Sequence, residues 1–501
     1  MFVRLGLISF FLLLTSRISG LVRESAQAAA FGVSGNADIA ILMLTLPDLL
    51  VNVFFLGGLS YISLPLWAAQ SPQERANSQR TLVAWCLGVG IAITAVLLLF
   101  KQPVVQLLAP SLPEALLATA GHGLIWSALL VGPTCLAALW YCRLQFERDF
   151  IGLYGWNVLV NGVMILTFIG IHACFQGDSV VLVLGLALVL AMGLRLLWQG
   201  WRLSRLKLPK PDKTAVAVTW PSAYQFAWAA LAAGLPLTLA LIARTLSAAT
   251  GEGALAIFNY AIKLVELPNA LAIQLVTTLA FPSVTRALAA LGEGASTAVP
   301  VNKTKPVPDL KSVRSAYILA WGLACAGAAG LAVGAQPVAA LLFGWGRMRT
   351  TDVQAVAELA ALGAWGLLPQ ALIAVTVTVL AANQQLKVIA LAFLATASAF
   401  VLAGWQPNAP ISSTQAVMWL NISFACLATA LMANARMLIR RSLPAREMAI
   451  VAAVTVICVW VAKHFESSNL DVQLACAVAV AIAVGGVSLA VSPSLRHALQ
   501  R

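Results

Sequence analysis

Eight charged side chains interrupt stretches that are otherwise almost wholly apolar: Arg17, Arg23, Glu24, Asp38, Asp48, Arg244, Lys263 and Glu266. A charge at the centre of a bilayer costs about 2.5–3.5 kcal/mol even on the gentlest scale. Such residues therefore face a water-filled cavity or one another. Four of these are cations. A guanidinium matches phosphate oxygens through paired, charge-assisted hydrogen bonds, so the chemistry indicated is the binding of a polyanionic, phosphate-bearing headgroup. Arg17, Arg23, Asp38, Arg244, Lys263 and Glu266 are the candidate substrate-binding residues. Lys263 and Glu266 are three apart and share a helix face. Arg23 and Glu24 are adjacent and are expected to point apart. Asp38, beside Gly35-Asn36, either lines the cavity or caps a helix. Asp48 directly follows Pro47 and can cap the segment after a kink.

The elements that carry these residues must be membrane helices. The chain has 501 residues, of which 61% are hydrophobic and only 10% charged. A soluble domain has about 25% charged residues. Fourteen apolar runs fit spans of about 20 residues, at roughly 5–30, 37–67, 81–100, 117–142, 152–174, 179–201, 222–249, 254–285, 315–343, 355–381, 386–404, 412–435, 447–463 and 472–492. None shows the alternation of a membrane barrel strand. The fold expected is an all-α polytopic membrane protein.

The positive charge, a formal +13, sorts by side. With the N-terminus inside, 23 of the 31 Lys and Arg fall at cytoplasmic ends and loops, Arg143 and Arg195 among them. Lys101, Arg347, Arg349 and Lys463 alone fall at outer ones. This bias places both termini in the cytoplasm of a multi-pass bacterial inner-membrane protein. It also removes the need for a nucleic-acid partner to explain the basic balance. Residues 1–30 resemble a signal peptide, but Arg17, Arg23 and Glu24 lie between the apolar run and the small residues, where a cleavable leader is uncharged. We expect them to be retained.

An internal repeat organises the chain. Leu46-Pro47-Asp48-Leu49-Leu50 returns as Leu267-Pro268-Asn269-Ala270-Leu271, and each is followed by a second proline, Pro65 and Pro282. The copies lie in the second and eighth spans. An offset of six spans gives two six-helix lobes related by a pseudo-two-fold axis along the membrane normal. The expected domains are an N-terminal lobe (1–206), a basic linker (207–221), a C-terminal lobe (222–441), and two extra helices with a tail (442–501). Pro47, Pro65, Pro268 and Pro282 are candidate hinges.

Other chemistries find little support. The eight cysteines have no CxxC spacing and the four histidines are far apart, so no metal site is expected. There is no GxxxxGK[ST] loop for a nucleotide. No nucleophile-base set or carboxylate pair marks a catalytic residue, and no cofactor is indicated.

Several motifs resemble one family. Ser16-Arg17-Ile18-Ser19-Gly20-Leu21-Val22-Arg23-Glu24 is similar to the SRxxGxxRD/E opening of the MurJ/MviN proteins. Phe31-Gly32, Ala37-Asp38 and Leu46-Pro47-Asp48-Leu49 follow in matching order. Asn157 and Asn161 resemble its NxxxN, Tyr260-Ala261 with Lys263-Leu264, Glu266 and Pro268 its YAxRLxExP, and Leu342-Phe343-Gly344-Trp345-Gly346 its LFxxG. The resemblance implies fourteen helices, a cationic central cavity and a groove for a polyprenyl tail along the last two helices. It implies flipping of lipid II, the undecaprenyl-diphosphate-linked peptidoglycan precursor, driven by membrane potential or a monovalent cation gradient. Arg17, Arg23, Asp38, Lys263 and Glu266 match functional positions of the family, with Lys263 replacing an Arg. Asn52 and Leu56 stand where the family has a base and an acid, and residues 383–388 lack its Lys-Thr-Pro.

The partners expected are thus a polyprenyl-diphosphate-linked glycan and membrane lipid. The thinned charges make another polyprenyl-linked oligosaccharide an alternative cargo. A drug/cation antiporter should show buried acids without excess cations, the reverse of this chain. A non-transporting membrane scaffold would be indifferent to loss of Arg17 or Arg23.

Overall fold

The computed structural model describes residues 2–51, 59, 63–64, 66–68, 70–174, 179–206, 223–279, 310–383, 385–404, 411–436, 443–465 and 467–492. Within them every regular element is a helix. In chain order these are α1 (Phe2–Phe31), α2 (Gly35–Val51), α3 (Pro72–Leu99), the short α4 (Lys101–Leu108), α5 (Glu114–Phe146), α6 (Phe150–Cys174), α7 (Ser179–Arg205), α8 (Ala223–Ala248), α9 (Ala254–Leu279), α10 (Leu310–Phe343), α11 (Thr350–Gly363), α12 (Leu367–Ala382), α13 (Leu386–Gly404), α14 (Ser413–Asn434), α15 (Ala445–His464) and α16 (Leu470–Val491). A 3₁₀ turn, Ala364–Gly366, runs α11 into α12. Counting that pair as one span, a helix stands at each of the fourteen expected positions. Ten are long and apolar enough to cross a membrane. Helices answer the demand that every backbone N–H and C=O be satisfied within the segment where no water is present. Pro65, Pro282, Asn52, Leu56 and the basic linker lie outside the described residues.

The chain forms two compact units. The first is Met1–Asn259 with Leu342–Asp352. Its centre is α5, against which α2, α3 and α7 pack, while α1 lies on α6 and α6 on α7. The contact of α3 with α5 is close because both faces lack side chains there. A Cβ at Gly90 would stand 2.6 Å from the Gly132 Cα. Thr94 Oγ1 donates to the Ala128 carbonyl at 2.7 Å beside that crossing. Around it Leu82, Cys86, Ala128, Val131, Cys135 and Leu139 form a dry core. The opposite faces are apolar and open, with Trp85 69%, Ile91 68% and Leu166 72% exposed, as a lipid-facing surface requires.

Charges lock one end of this unit. Arg202 on α7 donates through Nε and Nη2 to Asp149 at 2.8 and 2.5 Å. Asp149 Oδ1 also accepts from the Gly152 amide at 3.1 Å, capping α6. Two arginines counted as cytoplasmic-end charges in the sequence are buried within this unit. Arg143 is 2% exposed, pairs with Glu147 at 2.8 Å and lies against Trp67. Arg195 is 7% exposed within α7.

The second unit is Tyr260–Leu341 with Val353–Arg501. Here α12 and α13 both pack on α14, as α5 and α6 both pack on α7 in the first unit. The fourth and fifth spans of each half thus share the sixth as a partner. The last pair, α15 and α16, pack on each other. α16 seats on α10 where Gly322, Gly330 and Gly334 face Ser488, Ala481 and Ala477. Trp321 Nε1 donates to the Met448 carbonyl at 3.0 Å, tying α10 to α15.

Gly90→Leu should force α3 from α5 at a cost of about 1–3 kcal/mol, typical of overpacking. Gly88, two residues earlier, has no atom within 4 Å of a built Cβ. The expected result is a lowered melting temperature in detergent for Gly90→Leu and an unchanged one for Gly88→Leu; equal melting temperatures would refute the close crossing.

Candidate functional site

The polar residues of the first unit converge where α1 turns into α2. The turn is made by Gly32, whose φ of +61° suits glycine. Ser34 then caps α2, its hydroxyl accepting from the Ala37 amide at 3.2 Å. Asp38 is therefore free of local capping. Its carboxylate, 2% exposed, instead accepts from the Gly253 amide at 2.8 Å and the Ala256 amide at 2.9 Å, at the start of α9. The reverse bond completes the exchange: Glu252 Oε1 accepts from the Gly35 amide at 2.8 Å, at the start of α2. Each helix N-terminus, with its orphan amides and positive dipole end, is met by a carboxylate from the other's segment.

Neighbouring loops reinforce this reciprocal cap. The Ser111 hydroxyl contacts the Ala248 carbonyl and lies 2.9 Å from that of Gly251. The Arg347 amide donates to the Ala29 carbonyl at 3.0 Å, and Ser25 donates to the Leu342 carbonyl. Gly32 and Gly346 allow the chains to touch: a Cβ on Gly32 would come within 2.6 Å of the Arg347 carbonyl oxygen, and one on Gly346 would overlap that of Ala29.

A second polar layer uses three of the charged residues singled out in the sequence. Glu24, 4% exposed, pairs with Arg23 at 2.6 Å and accepts from Asn259 Nδ2 at 3.2 Å. Asn259 Oδ1 in turn accepts from Arg244, which also donates to Thr45 Oγ1 at 3.1 Å. The chain Arg23–Glu24–Asn259–Arg244–Thr45 thus links α1, α9, α8 and α2. The expectation that Arg23 and Glu24 point apart is corrected. Adjacent Cβ atoms diverge on a helix, but the long Arg23 arm folds back along the surface to reach its neighbour. Asn259, 2% exposed, is the functional-layer residue that the sequence did not single out, because a lone Asn carries no charge signal.

The remaining candidates are placed as follows. Arg17, on α1, is exposed and has no ion-pair partner among the described residues. Close to it on the same helix, Ser19 accepts from Asn161 of α6 at 2.9 Å. In the second unit Lys263 and Glu266 form the anticipated pair at 2.7 Å, with Glu266 half-exposed. Pro268 lies inside α9. A Cβ on Gly327 of α10 would be 3.0 Å from the Pro268 ring, and Asn269 donates to Gln370 Oε1 at 2.7 Å. Pro47 is buried within α2.

The reciprocal cap makes a local prediction. Asp38→Ala removes the acceptor of two buried amides, each worth about 1.5–3 kcal/mol when bonded to a charge. Hydrogen exchange at Gly253 and Ala256 should then accelerate by about tenfold or more. Glu252→Ala should do the same at Gly35. Unaltered exchange at those amides would show that the carboxylates do not hold them.

Comparison with known proteins gives a consistent result. No curated protein matches the chain. A solved structure described as lipid II flippase MurJ in an inward closed conformation superposes with a TM-score of 0.76 at 12% identity, over 97% of this chain and 99% of that one. An inward-facing multidrug resistance MATE family transporter of the MOP superfamily gives 0.63 at 14% identity, over 85% and 95%. A MOP superfamily transporter from Pyrococcus furiosus, described as having reverse polarity of its binding pocket, gives 0.58 at 16% identity, over 88% and 95%. These likenesses establish the fold. The family model for lipid II flippase MurJ matches residues 27–488, nearly the whole chain, and the protein accordingly belongs to the MurJ lipid II flippase family.

Proposed function

We propose that this protein flips lipid II, the undecaprenyl-diphosphate-linked peptidoglycan precursor, across the bacterial cytoplasmic membrane by alternating access. Membership of the flippase family carries the reading. The disposition of cations supports it. Arg23 and Arg244 are engaged with Glu24, Asn259 and Thr45. Arg17 is exposed and offers its guanidinium to a ligand. It lies 15 residues before Gly32, or about 22 Å along the helix from the reciprocal cap.

In this reading the capped end faces outward and both termini face the cytoplasm, in accord with the positive-inside bias. The diphosphate-sugar headgroup meets Arg17 first. Arg23, Asp38, Arg244, Lys263 and Glu266 engage it or exchange partners as the outer side opens. Pro47 and Pro268, each inside a helix, supply bends. The polyprenyl tail stays in lipid beside α15 and α16, whose seat on α10 is built from small residues. The chain needs no cofactor and does no covalent chemistry. Each negative charge moved outward from an inside-negative cytoplasm is favoured by about 2.3 kcal/mol per 100 mV, so membrane potential can drive the step, with a monovalent cation gradient as the alternative.

The test is complementation in cells depleted of their own lipid II flippase. The parent protein should restore growth, Arg17→Ala should abolish rescue at equal expression, and Arg17→Lys should rescue in part. A well-expressed parent that fails to rescue would exclude lipid II as the cargo.

A further inference from the structure

Two buried arginines of the first unit keep guanidinium nitrogens without a partner among the described residues, Arg143 and Arg195. Arg143 holds Glu147 at 2.8 Å, whereas Arg195 has no carboxylate within hydrogen-bond length among those residues. Its guanidinium carbon lies 3.8 Å from the centre of the Trp156 ring, so one face is stacked. Its nearest carboxylate oxygen, Asp48 Oδ1, is 3.7 Å away, beyond hydrogen-bond length. The Arg195 side chain is 8% exposed, whereas that of Asp48 is 61% exposed. Nε of Arg195 is buried with no partner, and so is the indole nitrogen of Trp156. One helical turn on, Gln199 is fully buried and neither atom of its amide is bonded.

The same helix shows what a structural arginine looks like. Arg202, two turns on, forms a tight two-point bond with Asp149. A buried guanidinium left short of acceptors is costly. A stacked one keeps its N–H edge free in the ring plane, which is the fork that suits a phosphate.

We propose that Arg195, on the same helix as the buried amide of Gln199, forms a further phosphate seat in the first unit, and that the exposed carboxylate of Asp48 is a placeholder that the substrate displaces. The inference rests on the flippase reading and assigns to it a cation that neither the charge pattern nor the motifs marked. Asp48, directly after Pro47, sits where a bend in α2 would carry its carboxylate towards or away from the seat. Loading and bending are thereby coupled through one weak ion pair.

The test is a binding titration of the purified full-length protein in nanodiscs with undecaprenyl diphosphate as the probe. Arg195→Gln should weaken binding by about tenfold or more, as loss of a charge-assisted contact does. Arg195→Lys should weaken it less. Asp48→Asn should tighten binding by about threefold, since it removes a competitor, and should have no effect once Arg195→Gln is present. Melting temperatures report on folding. If the parent binds and Arg195→Gln binds equally well, this seat is excluded while the flippase reading stands. If Arg195→Gln does not fold, Asp48→Asn decides: unchanged or weakened binding marks the pair as merely structural. A parent that does not bind undecaprenyl diphosphate overturns both readings.

Discussion

The amides that begin a helix have no partners within it, and where they are buried something else must accept from them. In this protein two helices meet that constraint for each other. Asp38, one turn into α2, takes the first amides of α9, and Glu252, just before α9, takes the first amide of α2. The surrounding arrangement follows from it. Gly32 and Gly346 must be glycines for the loops to close over the pair, Ser34 must cap α2 so that Asp38 is released, and Ser111 and Arg347 stitch the adjacent turns. A contact made of charges and amides can be exchanged for water at small net cost, unlike a contact made of interdigitated apolar side chains. In the proposed alternating-access cycle, that is the property wanted in a seal.

The arginines of the first unit fall into three physical conditions. Arg202 is held at two points by Asp149 and stabilises structure. Arg23 and Arg244 belong to a shared chain through Glu24 and Asn259, where a change of partner is available at each link. Arg17 is exposed, while Arg195 and Arg143 are buried with guanidinium nitrogens that find no partner among the described residues. In the proposed flippase these differences separate cations held in the scaffold from those left to a phosphate-bearing headgroup.

The helices were legible in the sequence because a membrane span needs some twenty apolar residues in a row, and that signal is local. The repeat was legible because Pro47-Asp48 and Pro268-Asn269 recur in equivalent spans, and the shared packing of α12 and α13 on α14 mirrors that of α5 and α6 on α7. The partners of the charges were not legible. Asp38 looks like a local cap, but Ser34 holds that role and Asp38 serves a helix more than two hundred residues away. That Arg143 and Arg195 are buried could not be read, because hydropathy does not say what packs on a charge. Asn259 and Gln199 are invisible to any count of charge, yet each is fully or nearly buried at a polar junction. Such pairings are tertiary facts.

In the proposed flippase the reciprocal cap between α2 and α9 is a seal that opens during transport. The most direct measurement is the distribution of distances between spin labels at Glu114 and Thr250, which flank the Ser111 contact beside the cap, in lipid vesicles. The account predicts two populations, a short one corresponding to the capped arrangement and a longer one that Asp38→Ala enlarges. A single short distance, unchanged by Asp38→Ala, would contradict it.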